Sequence, residues 1–100
     1  MAKNPPNTAL DPVLHQPIRT RIAAYLVARG EATFTELKQA LDATDGNLEA
    51  NMKKLTANGY VKIIKNTLGS RPQTLYKMTQ KGKTAFTQYI NTLQSLLPLK

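Results

Sequence analysis

The chain reads as a mainly α fold carrying a small β hairpin, an α+β arrangement, and three features of the sequence predict it. Apolar residues recur at helical spacing in segments bounded by capping residues; Leu48, Met52 and Leu55 form one such stripe between Thr44 and Gly59. Directly after Gly59 the period turns from helical to alternating, in Tyr60-Val61-Lys62-Ile63-Ile64-Lys65. A long amphipathic segment then runs almost to the last residue.

Taken in order, residues 1–9 with Asn4-Pro5-Pro6-Asn7 read as a flexible arm, and residues 10–97 as one domain. Asp11 suits the cap of a short turn with Pro12 at its first position. Pro17 is a second first-turn proline, and Ile18, Ile22, Tyr25 and Leu26 follow at helical spacing. A helix over 17–29 is expected, ended by Gly30, with Arg19 and Arg21 pointing away from its stripe. A short strand fits Glu31-Ala32. Thr33-Phe34-Thr35-Glu36 has the capping-box pattern, with Glu36 reaching back to the Thr33 amide. The helix it opens carries Phe34, Leu37 and Leu41 inward.

Asp42-Ala43 leaves only a tight turn before a helix over 44–58, so the two helices form a helix-turn-helix. Thr44 caps that helix, Asp45 sits at the positive end of its dipole, and Gly59 takes the left-handed turn that ends it. The strand that follows is expected to place Val61 and Ile63 on one face. Residues 67–73, with Gly69, Ser70 and Pro72, suit a loose hairpin tip, and Thr74-Leu75-Tyr76-Lys77-Met78 a return strand with Tyr76 and Met78 inward. Thr79 caps a last helix over 80–97, stopped by Pro98. Three helices followed by a basic hairpin make a winged helix-turn-helix, here with an extended C-terminal helix.

The residues Pro17-Ile18-Arg19 and Ile22, then Phe34-Thr35-Glu36-Leu37, Gly46-Asn47-Leu48, Lys54-Leu55, Asn58-Gly59-Tyr60-Val61 and Met78-Thr79-Gln80-Lys81-Gly82 resemble the small winged-helix transcriptional regulators related to the MarR and ArsR families. The resemblance covers nearly the whole of 10–97. It implies a DNA-binding regulator, usually a homodimer, and leaves operator, regulated genes, effector and direction of regulation open.

Composition points the same way. Net charge is +8, all six acids lie in the first half, and from Ala50 onward nine lysines and arginines meet no acid. Such a half-chain attracts polyanions. The chain has no cysteine, which excludes disulfides and cysteine-based metal sensing of the ArsR kind. Neither a secretory signal nor a membrane-spanning run is seen, so a cytoplasmic protein without metal or cofactor is expected. His15 is the sole histidine, no nucleophile stands in a catalytic motif and the glycines form no phosphate loop, so an enzyme is not expected.

The candidate DNA surface is the outer side of the 44–58 helix together with the hairpin. Asn47 and Asn51 offer donors and an acceptor suited to adenine, Lys53 and Lys54 reach guanine or phosphate, and Gly46 and Ala50 permit close approach. Thr44 begins this surface. Asp45 repels phosphate and either caps the helix or accepts from cytosine. Arg71 at the tip suits a narrow minor groove or a phosphate, with Lys62, Lys65 and Lys77 beside it, and Thr33 and Thr35 are further phosphate candidates. In the last helix Phe86, Tyr89, Ile90, Leu93, Leu96 and Leu97 make a seam too long for one small domain to cover, which favours a twofold partner. Two other functions fit the same fold: a winged helix that binds protein, and a non-specific architectural binder of DNA or RNA.

Overall fold

The computed structural model describes residues 9–66, 69 and 71–97. Its elements are α1 (Pro17–Arg29), β1 (Ala32–Thr33), α2 (Phe34–Leu41), α3 (Asp45–Ala57), β2 (Val61–Asn66), β3 (Gln73–Met78) and α4 (Gln80–Leu96). The arm at 1–8, the tip residues Thr67, Leu68 and Ser70 and the stop at Pro98 lie outside the described residues.

Local chemistry sets the boundaries. In α1, Pro17 stands in the first turn, Gln16 Oε1 accepts from the Arg19 amide at 3.0 Å, and Gly30 ends the helix at φ 93°. The α2 capping box closes in both directions, Glu36 N to Thr33 Oγ1 at 3.1 Å and Thr33 N to Glu36 Oε1 at 3.3 Å. A cap of this kind contributes about 1 kcal/mol. Asp42, left-handed at φ 52°, turns the chain between α2 and α3, a conformation that aspartate tolerates better than most residues. Thr44 Oγ1 accepts from Asn47 N at 3.1 Å to start α3, and Gly59 at φ 78° releases the chain into the hairpin.

β1, β3 and β2 form one antiparallel sheet in that order. Ala32 pairs with Tyr76 and Thr33 with Leu75, so the expected short strand is present one residue later and joins the hairpin as an outer strand. Leu14, Ile22, Leu26, Leu37, Leu48, Leu55 and Val61 are fully buried in a core shared by the helices and the hairpin base. Burying each such side chain contributes roughly 1.5–3 kcal/mol. Val61 and Ile63 share a face, as alternation requires, but Val61 is buried and Ile63 is 47% exposed. Beyond the Val61–Met78 pair the two strands differ: in the next pair on that face Tyr76 is half-buried against the core, as expected, while its partner Ile63 projects past it.

Tyr60 locks the corner where α3, the sheet and α4 meet. Its amide donates to Leu55 O at 3.0 Å, its carbonyl accepts from Thr79 N at 2.9 Å and its hydroxyl donates to Asp11 Oδ2. A Cβ at Gly82 would lie 2.1 Å from Tyr60 O, so only glycine lets α4 approach this closely. Burial, and then the Asp11 bond, pushes the Tyr60 phenol from 10.0 up to about 12. A phenol raised in the folded state contributes stability that is complete below the unfolded pKa and is lost as pH rises through the folded one. Thermal melts from pH 10 to about 12 should therefore show a steeper loss of stability in the wild type than in Tyr60→Phe. Parallel losses would contradict the Tyr60 environment described here.

Candidate nucleic-acid interface

α3 is buried along Leu48, Asn51, Met52 and Leu55. On its other side Thr44, Gly46, Asn47, Ala50, Lys53 and Lys54 are all exposed, beside Asp45 and Glu49. A Cβ at Gly46 would meet nothing within 4 Å, so the fold itself does not require glycine there. Glycine within a helix costs about 1 kcal/mol relative to alanine. Asp45 is paired with Lys38 Nζ at 2.7 Å, across the turn between α2 and α3. The pair is solvated and contributes about 0–1 kcal/mol, while part of the carboxylate charge is offset locally.

Asn51 requires a correction. Expected on the outer surface, it is 6% exposed. Its Oδ1 accepts from Arg19 Nη1 at 2.7 Å, and its Nδ2 donates to Asn47 O and to Asn47 Oδ1, both at 2.8 Å. An amide so engaged has no donor left for a base edge. Arg19 is corrected with it, for it is half-buried rather than turned to solvent, and its Nε donates to the Val13 carbonyl. The sequence signal was the spacing: Asn51 stands three residues after Leu48 and four before Leu55, inside the apolar stripe.

The hairpin presents Lys62, Lys65 and Arg71 as exposed cations, whereas Lys77 on the central strand is half-buried. Thr35 is exposed at the start of α2, and Thr33 is half-buried and occupied by the capping box. Between α3 and the hairpin lies an open groove lined by Glu49, Met52, Lys53, Thr56, Ile63 and Tyr76, a surface that the sequence reading did not single out. Burial, with Glu49 adding to it, raises the Tyr76 phenol above its ordinary value.

α4 divides into two parts. Tyr89, expected in the seam, is 5% exposed, and its hydroxyl meets His15 Nδ1 at 2.9 Å within the same chain. The helix turns Gly82 and Tyr89 into its own core, and that face takes the tyrosine. Phe86 and Ile90 are half-buried against the core and Leu93 is half-buried, while Leu96 and Leu97 are 46% and 48% exposed. Among the described residues no group of three His, Asp or Glu side chains could hold a metal ion, and no helix is long and apolar enough to cross a membrane.

Comparison with known proteins adds to this geometry. Residues 18–97 match the family model of a winged helix DNA-binding domain. An uncharacterised protein of Methanocaldococcus jannaschii is 37% identical over 84 residues, covering 84% of this chain and 91% of that protein. The structure of a transcriptional regulator homologue from Pyrococcus horikoshii OT3 matches with a TM-score of 0.79 and 31% identity, over 84% of this chain and 83% of that one. A regulator of the MarR family from Enterococcus faecalis V583 has the same fold, with a TM-score of 0.74 at 19% identity over 84% and 74% of the two chains.

The buried amide has a measurable consequence. Asn51→Ala leaves the Arg19 guanidinium without its side-chain acceptor, and stability to urea should fall by about 1–2 kcal/mol. A change within about 0.5 kcal/mol, the ordinary result at a solvated position, would contradict the burial described here.

Proposed function

The chain belongs to the winged helix DNA-binding domain family, and from that premise we propose that it is a cytoplasmic, homodimeric, sequence-specific regulator of transcription. The observation that carries the reading is the exposed face of α3. Thr44, Gly46, Asn47, Ala50, Lys53 and Lys54 form a slim surface of small, amide and cationic groups, the profile that fits a major groove. A glycine that the fold does not need stands in its first turn, where close approach of another molecule explains it. In this reading Lys62, Lys65, Lys77 and Arg71 serve the wing, on the minor groove or the phosphates beside it. Asn51 and Tyr89 take no part in contacts outside the chain. The protein acts by binding, with no catalytic step.

A twofold partner is supported by the far end of α4. The helix is roughly 25 Å long, and its last residue Leu96 and the capping Leu97 are about half exposed beyond the core that covers Tyr89. Joining two copies through Phe86, Ile90, Leu93, Leu96 and Leu97 would set two α3 helices about one DNA turn apart, roughly 34 Å. One observation favours a second reading, a protein-binding winged helix: Ile63 is 47% exposed beside Tyr76 in the groove next to α3.

Selection of bound sequences from a random duplex pool separates the two. A palindromic motif is expected, with log affinity falling against log salt at a slope of about −7 for about eight phosphate contacts. No binding at low salt would leave the protein-binding reading. Leu93→Glu should sediment as a monomer, retain its helical spectrum and lose the palindrome far more than random duplex, because a carboxylate at the seam is costly to bury. A variant that stays dimeric and binds normally would remove α4 from the interface.

A further inference from the structure

The orientation of the Asn47 side chain follows from chemistry that begins at Arg19. A guanidinium has only donors, so the Asn51 atom 2.7 Å from Arg19 Nη1 must be the amide oxygen. The other branch of Asn51 is then the NH2 group. Its two hydrogens require two acceptors, and they meet the Asn47 carbonyl and the Asn47 side chain, both at 2.8 Å. The Asn47 atom that faces Asn51 is thereby its oxygen, and Asn47 Nδ2 is the end turned away from α1. Polarity passes along three residues, from a cation held in place by the Val13 carbonyl to an exposed amide on α3. Arg19 N bonds Gln16 Oε1, and Arg19 Nε bonds Val13 O, so the starting point of the relay is itself fixed.

We propose that the Arg19–Asn51 relay makes Asn47 a donor-only reader of DNA, selecting a base edge that presents an acceptor, guanine or thymine, over cytosine. The inference rests on the proposed docking of α3 in the major groove. A free asparagine pairs with adenine through N6 and N7 by offering one acceptor and one donor. Asn47 has its acceptor turned toward Asn51, so the two-point pairing with adenine is closed to it and only adenine N7 remains as a partner. Its NH2 group suits guanine O6 and N7 or thymine O4, while the N4 amine of cytosine meets donor with donor. Asn51 is a positioning residue that never touches the base. The sign of the preference is therefore set by a buried residue and, through it, by α1.

Asn51→Asp tests the relay with little change of shape. The new carboxylate still accepts from Arg19, now as an ion pair, but offers Asn47 only acceptors. Asn47 then turns its NH2 inward and its oxygen outward, and cytosine, whose N4 amine donates, changes from disfavoured to favoured over guanine and thymine. The experiment is sequence selection from a random duplex pool with the wild type, Asn47→Ala and Asn51→Asp. Asn47→Ala marks the position at which preference disappears. At that position the wild type should favour guanine or thymine over cytosine, and Asn51→Asp should favour cytosine over guanine or thymine, by about tenfold in each direction. A purely structural role for Asn51 predicts uniform weakening at every position. Uniform weakening, an unchanged preference, or a wild-type preference for cytosine at that position would each overturn the inference. A wild type that enriches no motif would overturn the proposed docking, and the inference with it. If Asn51→Asp does not fold, Asn47→Asp carries the test from an exposed position. It accepts from Asn51 and turns its second oxygen outward, so it must show the same inversion, and its failure to do so counts against the relay.

Discussion

The Arg19 guanidinium is gripped at two places, by the Val13 carbonyl through Nε and by Asn51 Oδ1 through Nη1. It thus ties the turn before α1, α1 itself and α3 into one unit. Most of the energy of that unit is apolar, from Leu14, Ile22, Leu26, Leu48 and Leu55. Apolar contact is non-directional, however, and leaves a helix free to adopt neighbouring rotations at small cost. A charged donor bonded to a buried amide is directional, and breaking it leaves part of a cation desolvated. The bond therefore fixes which side of α3 is outermost. For a helix that reads another molecule, that angle matters as much as its stability.

A second fixed point lies just past the C-terminal end of α3. Tyr60 takes the end of the helix through Leu55 O, the start of α4 through Thr79 N and the N-terminal turn through Asp11. Gly82 allows the closest of these approaches. Between Arg19 at its midpoint and Tyr60 beyond its end, α3 is held along its inner side, while its exposed side carries the Thr44 cap, the Asn47–Asn51 bond and the Lys38–Asp45 pair. The hairpin is anchored by Val61 and Met78 at its base and by the pairing of Tyr76 and Leu75 with β1, while Lys62, Lys65 and Arg71 stay exposed.

Much of this was legible in the sequence because it is local. The caps at Thr33, Thr44 and Thr79, the glycines after α1 and α3 and the change of period after Gly59 each depend on a few neighbouring residues. The winged-helix order followed from those signals. What was misread depends on distance in the fold. Asn51 and Arg19 both stand within the buried stripes of their helices, yet each alone looks like a solvent residue. Only the packing of α1 on α3 makes them partners. Ile63 follows the alternation of its strand, but the sequence does not say that the core stops at Val61. Tyr89 belongs to the same amphipathic helix as Leu96, and periodicity cannot say where along that helix its own domain ceases to cover it.

The central claim is that the outer side of α3, held in place from behind, is the surface that meets DNA. Backbone amide spectra recorded with and without the duplex selected from a random pool test it most directly. The account predicts that the largest changes fall on Thr44, Gly46, Asn47, Ala50, Lys53 and Lys54, with a second set at Lys62, Lys65 and Arg71. Changes confined instead to the groove at Met52, Ile63 and Tyr76, or to the end of α4 at Leu96 and Leu97, would contradict it.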